Sequence, residues 1–157
     1  MKLSFLKPPF VSSKLEVKGG FFMERVFVYG SLRQGYWNFQ NLLKGKVNSI
    51  VSAEIKGNLY HLPEGYPAAI EGDGNVKGVE LVDDDLLARL DGLEGYRGVG
   101  QNNLYERKKV NTRLKDGEEI SCWVYFYSRG NLQHLKKKGV MITEGDWNKF
   151  IKEENLK

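Results

Sequence analysis

The chain has 157 residues, a formal net charge of +4, two histidines and one cysteine. That length suits one domain with its own core; no apolar run is long enough to cross a bilayer as a helix, and Cys122, having no second cysteine to pair with, suits a reducing, cytoplasmic setting. The charge points away from nucleic acid: Lys2, Lys7, Lys14 and Lys18 against Glu16 place +3 in residues 1–22 and leave +1 for the rest, while two histidines and one cysteine are a poor supply for a zinc site.

Residues 1–22 read as an appendage, with weak periodicity, a Pro8-Pro9 pair and Gly19-Gly20. They lack the apolar core and small-residue cleavage site of a secretory signal. Lys18-Gly19-Gly20 can be encoded by a purine-rich stretch of the bacterial ribosome-binding type, and Phe21-Phe22 then space it from Met23. The expectation is a translated leader, with the domain spanning 23–157; the alternative is a genuine N-terminal extension. Codons without an AGGAGG-like stretch would remove the argument.

Arg25 to Tyr29 reads as a short strand ended by Gly30-Ser31. Tyr36 to Leu43 can form a helix, with Trp37, Phe39 (or Gln40) and Leu43 available for packing. Val47 to Leu59 alternates loosely as a strand, with Gly57 a possible bulge. His61 to Tyr66 is a loop. Pro67 to Ile70 and Asn75 to Val82 read as two strands around the turn-forming Glu71-Gly72-Asp73-Gly74. A short helix follows, with Asp83 to Asp85 suited to its N-terminus. Tyr105 to Leu114 and Glu119 to Tyr127 form the clearest hairpin, turning at Asp116-Gly117. Cys122 within it reads as a small core residue. Lys136-Lys137-Lys138 has no interleaved aromatics and reads as a solvated run. A last helix begins near Gly145-Asp146, with Trp147, Phe150 and Ile151 on one face. Strands outnumber helices, so the class is α+β with a curved or barrel-like sheet.

The helix before the hairpin carries an oddity. Its apolar stripe runs Leu86, Leu87, Leu90, Leu93, and the next position of the stripe is Glu94. The pattern leaves two readings. Either the helix end frays and Glu94 is in solvent, or its carboxylate faces the core or a cavity. In the second case desolvation and the negative end of the helix dipole both raise its pKa, as a general base requires.

Four features stand in order: Val28-Tyr29-Gly30-Ser31-Leu32, Leu90-Asp91-Gly92-Leu93-Glu94-Gly95-Tyr96, Tyr105-x-Arg107 and Gly145-Asp146-Trp147. With them the chain resembles the γ-glutamylcyclotransferase-like superfamily, and looks closest to its γ-glutamylamine cyclotransferase and avirulence-induced-gene-like branch. The resemblance implies a mixed, largely antiparallel sheet curled into a small barrel, flanked by helices, with a cavity at one end. It implies that Tyr29, Gly30, Ser31 and Leu32 form the substrate-binding loop and that Glu94 is the catalytic acid/base. The reaction it implies is cyclisation: the α-amine of a small γ-glutamyl substrate attacks its own γ-carbonyl, releasing 5-oxoproline and an amine.

The residues suit that chemistry. An α-ammonium must lose a proton before it attacks, and a Glu with a raised pKa can take that proton and return one to the leaving nitrogen. The nucleophile belongs to the substrate, so no Ser or Cys nucleophile, metal or redox cofactor is called for. Gly30 permits close backbone approach, and N–H groups of the following turn can bind the substrate carboxylate. Tyr96 and Tyr125 are candidates for the pocket wall, with the core as the alternative for each. Arg107 is expected to pair with Asp91 or another structural carboxylate, Trp147 to anchor the core and Asp146 to cap the last helix. Loops 35–38, 61–66 and 98–103 are expected on the leaving-group side, and glycines 95, 98 and 100 suggest a mobile lid. The competing reading is a non-catalytic ligand-binding or regulatory protein on the same fold, without nucleic-acid or membrane partners. The sequence assigns no oligomeric state.

Overall fold

Strand β1 (Val17–Lys18) and strand β2 (Phe21–Phe22) form a ladder of their own, apart from the main sheet. In this computed structural model, residues 17–18, 21–22, 24–30, 49–83 and 86–155 are described. The main sheet is built from β3 (Glu24–Val28), β4 (Ser49–His61), β5 (Pro67–Asp83), β6 (Tyr105–Leu114) and β7 (Glu119–Tyr127). Their order is β5-β3-β7-β6-β4, and pairing of β4 with β5 closes the barrel. Neighbours are antiparallel except β3 and β7, which run parallel through Val26 opposite Trp123 and Phe27 opposite Val124. β8 (Val140–Met141) adds to β4 beside Tyr60 and His61. The fold is therefore the α+β barrel expected from the sequence.

The period-2 pattern decides which side chains meet. On β7, Ile120, Cys122, Val124 and Phe126 share one buried cluster with Phe27 and Tyr29 of the β3 segment. Their neighbours Val26, Val28, Tyr125 and Tyr127 belong to a second cluster on the opposite face, which α1 (Leu86–Glu94) covers with the fully buried Leu90. Cys122 has no exposed surface and is a small core residue. The β6–β7 hairpin has its expected bounds and turn: Gly117 adopts φ 92°, and the Asp116 side chain accepts the Glu118 N–H at 2.9 Å. Helix α3 (Trp147–Asn155) starts where expected. Asp146 accepts the Lys149 N–H at 3.2 Å as a cap, and the buried Trp147 donates its indole N–H to His61 at 3.1 Å.

Three expectations need correction. β5 is one strand of 17 residues, not two strands around a turn. The backbone stays extended through residues 71–74 while the ladder with β4 skips them, passing from Lys56 opposite Asn75 to Asn58 opposite Ile70 around the bulge at Gly57. The Asn58 side chain occupies the gap and accepts the Gly74 N–H at 3.3 Å; a Cβ on Gly72 would collide with it. Those glycines make room for an amide rather than reverse the chain. Second, Asp83 ends β5 instead of opening α1. Third, helix α2 (Leu132–Lys138) was not foreseen, because it buries only Leu135 and so shows no stripe. Lys136 to Lys138 are exposed in its last turn, where the helix dipole favours cations. The helix expected over 36–43, and residues 84 and 85, lie outside the described residues. Among the described residues no helix is long and apolar enough to cross a membrane.

Candidate active site

One end of the barrel holds a cavity of about 210 Å³. The β3 end contributes Phe27, Val28, Tyr29 and Gly30; Tyr66 and Pro67 come from the start of β5, Leu104 and Tyr105 from the start of β6, and Tyr125 from β7. The last turn of α1 supplies Leu93 and Glu94. Because β3 is parallel to β7 and antiparallel to β5, these strand ends gather at the same rim.

The end of α1 fixes where Glu94 points. Gly95 follows it with φ 67°, and the Tyr96 N–H donates to the Asp91 carbonyl at 3.0 Å. That is the glycine-terminated helix end in which one left-handed residue turns the chain away. Glu94 is thus the final helical residue, not a frayed one. Leu93 is 38% exposed, because the last turn overhangs the cavity mouth instead of the core. Glu94 is half-buried by area, yet protein crowds its carboxyl, and this desolvation pushes its pKa up to about 7. It is the only ionised-type group among the cavity-lining residues described; the other polar side chains there are four tyrosines.

Three of those tyrosines are tied to the frame. Tyr29 donates its hydroxyl to the Tyr125 carbonyl at 2.5 Å and accepts the Ala69 N–H at 3.3 Å. Tyr105 donates to the Pro67 carbonyl at 2.6 Å. Tyr125 donates to the Asp91 carboxylate. Burial raises the pKa of all three, so they stay neutral. With their protons committed to protein acceptors, they shape the cavity rather than offer it protons.

The structure gathers Tyr29, Gly30, Glu94 and Tyr125 around this cavity. Gly30 is needed by packing, since a Cβ there would sit 2.5 Å from Pro67 Cγ. Ser31, Leu32 and loop 35–38 lie outside the described residues. Tyr96 is not in the lining: its ring covers the Arg107 guanidinium at 5.0 Å, with Trp123 at 4.7 Å from the same group. Arg107 pairs with Asp91 at 2.7 Å, the structural partnership expected for it. Loop 61–66 contributes Tyr66, but loop 98–103 contributes nothing to the lining. Its glycines serve left-handed turns, with φ of 120° at Gly98 and 81° at Gly100. The buried Asn103 side chain ties the loop to itself, accepting the Arg97 N–H at 2.6 Å and donating to the Gly98 carbonyl at 2.9 Å. Tyr66 falls in the loop expected to line the cavity, whereas Tyr105 was missed as a wall residue; its place in the Tyr105-x-Arg107 motif was the available signal. Among the described residues no group of three His, Cys, Asp or Glu side chains is placed to hold a metal.

Comparison with known proteins first defines the class. A Bacillus subtilis crystal structure superposes with a TM-score of 0.62 at 22% identity, over 86% of this chain and 43% of that one, which shows a shared barrel fold. Residues 26–149 match the family described as gamma-glutamyl cyclotransferase, AIG2-like, and the chain belongs to that family. A provisionally named gamma-glutamylcyclotransferase of Methanocaldococcus jannaschii is 34% identical over 131 residues, covering 82% of this chain and 98% of the relative. A protein of Niallia circulans named gamma-L-glutamyl-butirosin B gamma-glutamyl cyclotransferase is 34% identical over 115 residues, 72% of each chain.

Proposed function

We propose that this protein cyclises the γ-glutamyl group of a γ-glutamyl amine, releasing 5-oxoproline and the free amine, with Glu94 as general acid/base. The observation that carries the reading is Glu94 itself, a carboxyl held in a tyrosine-walled cavity with its pKa raised to about 7. A base at that value is half ionised at neutral pH and can exchange protons both ways. Glu94 takes a proton from the substrate α-ammonium. The freed amine attacks the γ-carbonyl carbon, forming the lactam C–N bond. The bond to the leaving nitrogen then breaks as Glu94 returns the proton to it, and the second proton of the new ring nitrogen passes to the ionised Glu94 and on to the released amine, which departs as its ammonium. No covalent enzyme intermediate forms, and the protein's contribution is to hold the folded-back substrate in reach of attack. Tyr29, Tyr105 and Tyr125 donate to protein acceptors, so backbone N–H groups of the segment from Tyr29 to Leu32 are assigned to the substrate carboxylate. The Niallia relative is named for a γ-glutamylated compound, the class of substrate proposed here.

The test is 5-oxoproline production from a panel of γ-glutamyl amines, γ-glutamyl dipeptides and γ-glutamyl-ε-lysine, in the native protein and in Glu94→Gln. Release from the amines that disappears in the variant is the expected result. A variant that retains most of the activity overturns the role of Glu94. Binding of these compounds without any 5-oxoproline makes the protein a non-catalytic binder.

A further inference from the structure

Glu94 has a second acid one helical turn away. Asp91 receives the Arg107 Nη1 on both oxygens, at 2.9 and 2.7 Å, and the Tyr125 hydroxyl on one of them. Its backbone carbonyl accepts the Tyr96 N–H that closes the helix. Tyr96 and Trp123 in turn hold the Arg107 guanidinium between their rings. The chain of contacts continues from Tyr125 through Tyr29 to the backbone of Ala69. One residue therefore closes the last turn of α1 with its backbone and fastens that turn to β6 and β7 with its side chain.

We propose that Asp91 and Arg107 are positioning residues for Glu94: the pair pins the terminal turn of α1 over the cavity, and its guanidinium offsets the acid one helical turn from Glu94. The groups facing Glu94 are Tyr29 from β3, Tyr66 from the loop before β5, Tyr105 from β6 and Tyr125 from β7. All are neutral phenols at working pH, and Tyr29, Tyr66 and Tyr105 register the charge on Glu94. Beyond Tyr66, Glu64 pairs with His134 at 2.7 Å. On its own helix the neighbour is Asp91, with Arg107 behind it. Desolvation is the cause that raises Glu94.

The pair can be broken from either side, with opposite consequences. Arg107→Gln leaves the Asp91 carboxylate one turn from Glu94, and like charge raises the Glu94 midpoint. Asp91→Asn leaves the Arg107 cation near the cavity wall and lowers it. Each shift is expected at roughly half a pH unit or more. The readout is carboxyl carbon NMR titration of the intact protein without substrate, with the Glu94 resonance identified by its loss in Glu94→Gln. Arg107→Lys keeps the cation and is expected to return the midpoint to the native value. The kcat pH profile should move in the same directions, with kcat falling more than KM rises. Shifts of the same sign in both neutralising variants, or no shift in either, overturn the proposal, because a merely structural pair loses stability on both sides without opposite titration. If only one of the two variants folds, it decides alone: the expected sign supports the proposal, and an unmoved midpoint ends it. The inference rests on Glu94 as acid/base for its functional meaning. Its titration is read without turnover, so it fails or succeeds separately from the 5-oxoproline assay.

Discussion

Two carboxylates in this barrel are withdrawn from water under opposite arrangements. Glu80, on β5, has no exposed surface and meets the Arg25 guanidinium of β3 at 3.0 Å, so a cation accompanies it into the core. Glu94, at the tip of α1, looks into a cavity whose described lining contains no cation, and desolvation raises its pKa to about 7. The first arrangement neutralises the acid and gives a fixed cross-strand tie. The second leaves the desolvation uncompensated, the setting that the proposed acid/base role calls for. Burial alone does not set the proton affinity of an acid; what stands beside it decides.

The comparison breaks first at turnover. Glu94→Gln is expected to lower 5-oxoproline release by about 100-fold or more, the usual range for a general acid/base, and an activity assay on the folded variant checks it. Next is the core pair. Arg25→Met removes the guanidinium that Glu80 meets and is expected to cost about 3–5 kcal/mol, read by denaturant unfolding; Arg25→Met with Glu80→Leu should recover much of that. A third effect has the opposite sign. The folded protein raises Glu94 from 4.5 to about 7, so between those values it binds more protons than the unfolded chain. Stability from this group is present below pH 4.5 and is lost as pH rises towards 7. Glu94→Gln should therefore be more stable than the native protein at pH 8, by about 3 kcal/mol, and equal to it near pH 4. Thermal melts at the two pH values measure the difference, and an equal offset at both would contradict the assignment. The smallest effect is at the helix end. Gly95→Ala meets a positive φ and a Cβ contact of 3.2 Å with Leu104, and is expected to cost about 1 kcal/mol, with turnover falling because Glu94 moves with the turn.

Local signals found the elements that local forces make. The hairpin from Tyr105 to Tyr127 was legible because Asp116-Gly117 sets both turn and register. The position of Glu94 was legible as the continuation of the leucine stripe, but its environment was not. Leu93 shows why: it sits on the same stripe yet is 38% exposed, since it lines the cavity instead of the core. Tyr96 and Tyr105 show the same limit. Both are tyrosines beside the motif residues, and only Tyr105 lines the cavity, because the turn after Gly95 carries Tyr96 onto Arg107.

The sequence by itself determined strands β3, β4, β6 and β7 to within a few residues, the helix carrying Glu94 and the motif set that marks the family. These depend on residues a few positions apart, where periodicity and turn chemistry act directly. Closure of β4 onto β5, the parallel pairing of β3 with β7 and the meeting of Arg25 with Glu80 across 55 positions were decided only by the tertiary structure. So was the cavity, because its walls come from five separate stretches of chain. The raised proton affinity of Glu94 belongs to that assembly: a carboxylate's pKa is set by the water it loses, and the chain removes that water only once the strand ends have closed around it.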